Sequence, residues 1–384
     1  MLSIEALKDR DYAVEQMTRR FALQQYRAFI DGFEALEQKG KFGTTEFEEL
    51  ARNATLESLD QGIASNDPVT VLVDRYLRLP NFSHPSVPMG EDRLGDVEAY
   101  RFEVAKPTLP LNPRRYDELG TSLGIFNDRL GTQIAAPGFP VLLDRGATLD
   151  RALVNYMLDS HLARGYREFM APTVANERSF FNTLNPTIEV QEANLFRNVR
   201  LNESDLPIRL VGYSRSFRIE DKKMTTYTTL HEFGKVEICV AASQTQWEEE
   251  YNSALDSVKN MLRGLEIPYK QVLLCTGSMG QGYYLTNDFY MYAPGSDEWW
   301  EIASCASNGD FSSRRLNAMY RDYRGQDDYL HTLHMTSVSI PRVLSAILEN
   351  NQRKDGSIEV PEVLRKYTGG LEVISAVNQL NLNF

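Results

Sequence analysis

Apolar residues recur at three- and four-residue steps between positions 12 and 38, placing Val14, Met17, Phe21, Phe29, Phe33 and Leu36 mostly on one face of a long helix. Such a face needs a partner to cover it. After the turn signal Lys39-Gly-Lys-Phe-Gly-Thr-Thr45, residues Phe47, Leu50, Ala54 and Ile63 follow at roughly helical spacing, so the two stretches predict an antiparallel helical hairpin. Asp67-Pro68 reads as the stop of its second helix, and residues 69–78 continue apolar. The run Leu79-Pro-Asn-Phe-Ser-His-Pro-Ser-Val-Pro88 reads as an extended linker. Beyond about residue 115 helical periodicity alternates with apolar strands, among them 206–213, 235–240 and 271–275. Hairpin-like strand pairs, without a regular strand-helix-strand repeat, predict an α+β core around an antiparallel sheet. The expected division is 1–78 helical hairpin, 79–114 linker and start of the core, and 115–384 catalytic-sized domain.

Composition narrows the function classes. With 42% hydrophobic and 24% charged residues over 384 positions, the chain reads as a globular protein with one large domain and a smaller appendage. The first ten residues carry charges where a secretion signal needs an apolar core, and no apolar run reaches bilayer length, so the cytoplasm is the expected compartment, with no membrane partner. Cys239, Cys275 and Cys305 lie far apart and lack paired spacing, which predicts buried free thiols. A net charge of −12 argues against a broadly basic nucleic-acid surface.

Candidate chemistry concentrates around Ser216-Phe-Arg-Ile-Glu220, a polar loop with Lys222 and Lys223, and His231-Glu-Phe-Gly-Lys-Val-Glu-Ile-Cys239. A strand, a lysine-bearing loop and a returning strand can present Arg218 to phosphates while Phe233 offers a face for stacking. Taken alone, Arg218 and Glu220, two residues apart on one strand face, read first as a structural ion pair.

Four further segments occur in order with this one, and the set resembles the class II aminoacyl-tRNA synthetase core, most closely the seryl-tRNA synthetases. Residues 149–161 with Gly165-Tyr-Arg-Glu-Phe-Met-Ala-Pro172 are similar to the first class II motif. Asn185-Pro-Thr-Ile-Glu-Val190 resembles the family's Thr-Ala-Glu segment, and residues 217–237 its second motif. Trp300-Glu-Ile-Ala-Ser-Cys305 with 310–315 resembles its Glu-Ile-Ser-Ser-Cys stretch. His331-Thr-Leu-His334 and Arg342 through Gly370 carry the third motif. The similarity runs from residue 79 to about 374.

The resemblance implies a class II synthetase-like antiparallel sheet flanked by helices, a homodimer joined through the helix around 149–161, and ATP with Mg²⁺ as cofactors. Arg218, Glu301 and Arg342 are then the expected catalytic residues. ATP falls to Arg218, Glu220, Phe233, Glu301 and Arg342, with Phe233 and Arg342 sandwiching adenine. Serine, or another small amino acid, falls to Thr187, Glu189, Arg218, Glu237, Ser304, His334 and Thr336. Glu301 and Ser304 are the expected Mg²⁺ ligands.

Departures from the family pattern shape the functional expectation. Thr229 stands where an Arg contacts the γ-phosphate, Tyr290 where Glu is usual, His334 where Asn helps read the substrate, and Pro341 where Gly precedes Arg342. The second-motif loop is about four residues shorter than in the family. The N-terminal region is short too, with 8 Lys or Arg against 11 Asp or Glu in residues 12–79. That balance is poorly suited to RNA phosphates. The leading expectation is therefore aminoacyl-adenylate formation with transfer to a non-tRNA acceptor, such as a carrier protein, an amine or a biosynthetic intermediate. The alternatives are a divergent seryl-tRNA synthetase that charges tRNA and a catalytically inactive dimeric paralogue.

Overall fold

The computed structural model describes residues 1–40, 43–54, 63–64, 66–106, 109–174, 186–218 and 227–376. Eight strands form the main sheet: β1 Val97–Phe102, β2 Arg167–Glu168, β3 Ile208–Phe217, β4 Glu232–Ala242, β5 Tyr269–Leu273, β6 Leu285–Ala293, β7 Glu298–Gly309 and β8 His331–Ser339. Their order is β1-β5-β6-β7-β8-β4-β3-β2. Every neighbouring pair is antiparallel except the outer β2 and β3, which run parallel through Arg167↔Leu210. The expected antiparallel sheet with flanking helices is present.

Alternation along β4 explains how the sheet gains two different faces. Val236, Ile238, Val240 and Ala242 enter the main apolar core, whereas Lys235, Glu237, Cys239 and Ala241 point the other way. The core face is covered by the helices Asp144–Leu162, Trp247–Gly264 and Ile340–Asn350, whose buried stripes include Leu153 and Met157, Tyr251 and Val258, and Val343 and Ile347. Pro341 sits in the first turn of its helix, where a missing N–H costs nothing because that donor has no intrahelical partner. This helix is held at its far end by Glu349. Its carboxylate accepts from the backbone N–H of Tyr116 (2.9 Å), Gly295 (2.8 Å) and Ser296 (3.0 Å) and from Ser296 Oγ (2.7 Å).

The N-terminal region departs from its expected outline. The apolar face read over 12–38 belongs to two helices, Arg10–Arg19 and Leu23–Glu37, because the chain breaks at Phe21 in a left-handed conformation (φ 54°). The Ala22 N–H closes that turn onto the Met17 carbonyl at 2.8 Å. Asp67-Pro68 starts a helix where the sequence suggested a stop. The Asp67 carboxylate caps the Thr70 N–H at 2.8 Å, and Pro68 opens the helix Pro68–Leu77. Together with Thr44–Asn53, these helices enclose a separate core in which Phe29, Phe33, Phe47 and Tyr76 pack ring against ring, with centroids 5.1 to 6.0 Å apart. Arg19 and Arg20 fasten it to the sheet domain by donating to the carbonyls of Val87 and Gly280, each at 2.8 Å. No helix among the described residues is long and apolar enough to cross a membrane.

Candidate active site

The sheet face opposite the helices carries a cleft open to solvent. Arg218, Phe233, Glu301, Ser304, Thr336 and Arg342, all singled out from the sequence, line it together with Lys235 and Thr229. They arrive from β4, β7 and β8, from the end of β3 and from the first turn of the Ile340–Asn350 helix, so five chain segments converge. Arg218 lies over the Phe233 ring with its guanidinium carbon 5.3 Å from the centroid. Arg342 is held by donating to the Glu301 carbonyl (2.6 Å) and the Thr228 carbonyl (3.1 Å), which fixes its plane at the cleft wall.

A compact polar set adjoins this wall. Lys235 Nζ is 2.6 Å from Glu237 Oε1 and also donates to Thr187 Oγ1 (3.0 Å) and Thr336 Oγ1 (3.1 Å). Glu237 in turn accepts from Thr187 Oγ1 (2.9 Å), Thr336 Oγ1 (3.2 Å) and the Ile188 N–H (3.0 Å). Lys235 and Glu237 thus form a buried ion pair beside the cleft, with Lys235 on its lining. Lys235 is nearly fully buried and Glu237 completely so, so each needs these partners to offset its desolvation. Burial, then the neighbouring Glu237 charge, raises the Glu189 carboxyl above its usual range.

A third group sits where β6 and β7 pair. Ser304 lies opposite Asp288, and Glu301 opposite Tyr290. Burial and then the Glu301 charge push Asp288 up to about 7. Its Oδ1 makes no hydrogen bond among the described residues, and Arg93 approaches Glu301 at 3.6 Å. Two crowded carboxylates with an unused buried oxygen and an adjacent hydroxyl suit a hard divalent cation.

Six of the expected site residues thus share the cleft lining, and others lie elsewhere. Glu220 lies outside the described residues. His334 does not line the cleft; it is buried one pleat along β8 from Thr336, opposite Cys239. Lys235, which was not among the expected site residues, joins Thr187, Glu237 and Thr336, and Arg93 was missed because its distance in sequence from Glu301 leaves no local signal.

Geometry of this kind, an antiparallel sheet whose exposed face carries Arg, Phe and acidic side chains from ordered motifs, defines a class II aminoacyl-tRNA synthetase core, and residues 173–351 match the tRNA synthetase class II core domain family (G, H, P, S and T). The chain belongs to the serine–tRNA ligase family. It is 33% identical over 438 aligned positions to the serine–tRNA ligase of Magnetococcus marinus, covering 97% of this chain and all of that protein. It is 35% identical to the serine–tRNA ligase of Caldicellulosiruptor bescii over 76% of this chain and 75% of the relative. Among solved structures, the seryl-tRNA synthetase of Pyrococcus horikoshii complexed with ATP superposes with a TM-score of 0.83 at 27% identity, covering 98% of this chain and 100% of that one. The cytoplasmic serine–tRNA ligase of Naegleria fowleri shares the fold, with a TM-score of 0.81 at 23% identity over 95% of each chain. These relatives favour tRNA as acceptor over the non-tRNA acceptor expected from the acidic N-terminal region and the short loop.

Proposed function

We propose that the chain activates serine with ATP and transfers it to tRNA. In the first step a serine carboxylate oxygen bonds to the α-phosphorus and the bond to the β-phosphate oxygen breaks, releasing pyrophosphate. In the second, a terminal ribose hydroxyl of tRNA attacks the carbonyl carbon and AMP leaves. The observation that carries this reading is one cleft lined by a cationic-aromatic wall (Arg218, Phe233, Arg342) and by Lys235 and Thr336, which hydrogen-bond onward to Thr187 and Glu237.

In this reading Arg218 spans the substrate carboxylate and the α-phosphate, since its planar fork can serve two oxyanions at once. Phe233 and Arg342 receive adenine between them. Glu237 and Thr187 accept the serine ammonium or its hydroxyl, and Ser304, Thr336 and Glu189 complete the small polar pocket. Glu301 and Ser304, joined by Asp288, would hold Mg²⁺, which supplies charge neutralisation to the triphosphate when bound. Positioning and charge stabilisation carry the catalysis, with no side-chain nucleophile. We also propose a homodimer.

The test is serine-dependent exchange of labelled pyrophosphate into ATP, followed by charging of purified tRNA. Exchange with serine above other amino acids, and acid-precipitable seryl-tRNA, are the expected results. Exchange without any charging of tRNA would return the acceptor to a non-tRNA molecule.

A further inference from the structure

Cys239 and His334 face each other across the β4–β8 pair, two register positions along from the Glu237–Thr336 pair and on the same sheet face. Glu192 reaches them from the helix Glu189–Asn194, three residues beyond Glu189. One ligand atom from each of the three lies within 4.8 Å of the others, and all three residues are buried, at 0%, 3% and 0% exposure for Cys239, His334 and Glu192. The polar atoms of Glu192 and His334 are unspent. Among the described residues, neither Glu192 oxygen and neither His334 ring nitrogen has a hydrogen-bond partner, and the shortest His334–Glu192 approach is 3.9 Å, too long for one. A buried carboxylate and imidazole left without partners each cost free energy that a native core normally recovers.

We propose that Cys239 Sγ, a ring nitrogen of His334 and a carboxylate oxygen of Glu192 bind a zinc ion beside the amino-acid pocket. A thiolate, an imidazole and a carboxylate are the donor types that zinc accepts in one tetrahedral site, whereas Mg²⁺ and Ca²⁺ take oxygen donors. Tetrahedral bonds at ordinary zinc distances separate such donors by about 3.3 to 3.6 Å. A contraction of roughly an ångström by side-chain rotation closes the set around an ion. Binding releases the Cys239 thiol proton to solvent, satisfies the orphaned atoms of Glu192 and His334, and leaves the fourth position to a ligand from outside these three side chains. His334 then acts through the metal, in place of the direct substrate contact expected from its position in the third motif.

The site stands independently of ATP and tRNA, and its test uses neither. Full-length protein is stripped with chelator, dialysed, and titrated with Zn²⁺ and separately with Co²⁺ in buffer containing Mg²⁺. The expected result is one equivalent of bound Zn²⁺. The Co²⁺ form should show intense visible bands of tetrahedral cobalt and a thiolate-to-cobalt charge-transfer band. Cys239→Ser should abolish that band, and His334→Asn, which keeps a similar volume, should weaken Zn²⁺ binding about 10- to 100-fold or more. Circular dichroism establishes that each variant is folded, and if Cys239→Ser is not, the His334→Asn titration decides. Absence of stoichiometric zinc in the wild-type protein, or an unchanged cobalt spectrum in folded Cys239→Ser, would overturn the proposal. Either outcome leaves the serine-dependent exchange result untouched.

Discussion

In the proposed reaction Arg218 carries the charge stabilisation, and it lines the cleft wall with its guanidinium over the Phe233 ring. Arg218→Ala should lower the rate of serine-dependent pyrophosphate exchange by about 10²- to 10³-fold, the loss typical of removing one preorganised charge-stabilising donor. Exchange kinetics at saturating serine and ATP measure it, and a change smaller than threefold would remove Arg218 from the reaction. His161 illustrates the opposite kind of buried polar residue, a structural one. Its ring nitrogens lie 2.9 Å from Ser257 Oγ and 2.7 Å from Ser337 Oγ, and burial, with Arg164 nearby, lowers it from 6.5 to about 4. Between those values the unfolded chain takes up a proton that the folded chain refuses, so stability falls as pH drops from about 6.5 to about 4. The effect is about 3 kcal/mol at full extent. Comparing urea midpoints of wild type and His161→Gln at pH 7 and pH 5 should show a smaller acid loss in the variant.

Secondary-structure elements were legible to the extent that their signals are local. The alternation in Lys235-Val-Glu-Ile-Cys-Val240 predicts a two-faced strand, and β4 is one. By contrast the break at Phe21 has no glycine or proline to announce it, and Asp67-Pro68 supports either a stop or a start, depending on whether the flanking segment finds a core to bury in. Packing settles both. Phe47→Ala, which would open a cavity within the Phe29-Phe33-Tyr76 aromatic group, should cost about 3 to 5 kcal/mol of N-terminal stability. Limited proteolysis should report it as earlier cleavage within the first eighty residues, with serine-dependent exchange retained. At the other end of the fold, Glu349→Gln should destabilise the sheet domain by about 2 to 3 kcal/mol, since four donors now converge on a full carboxylate. Chemical denaturation would detect this, and a cost below 0.5 kcal/mol would show that water replaces the lost acceptor.

Taken entire, the protein joins an acidic surface to a cleft that must hold ATP and an amino acid, and its net charge of −12 places the burden of nucleotide binding on a few local cations. If the proposed dimer forms, light scattering should return twice the chain mass at micromolar concentration; a concentration-independent monomer would contradict it. What the amino-acid order determined unaided was the ordered array of motifs, and with it the family, the sheet and six of the residues that line the cleft, because strand alternation and motif spacing are properties of neighbouring positions. What only the tertiary structure decided were the long-range meetings. Lys235 draws together Thr187, Glu237 and Thr336, and Glu192 from a helix converges on Cys239 and His334 from two strands. Such meetings depend on which strands become neighbours and on which face of each is buried, and those choices are made by the whole core rather than by any segment of it.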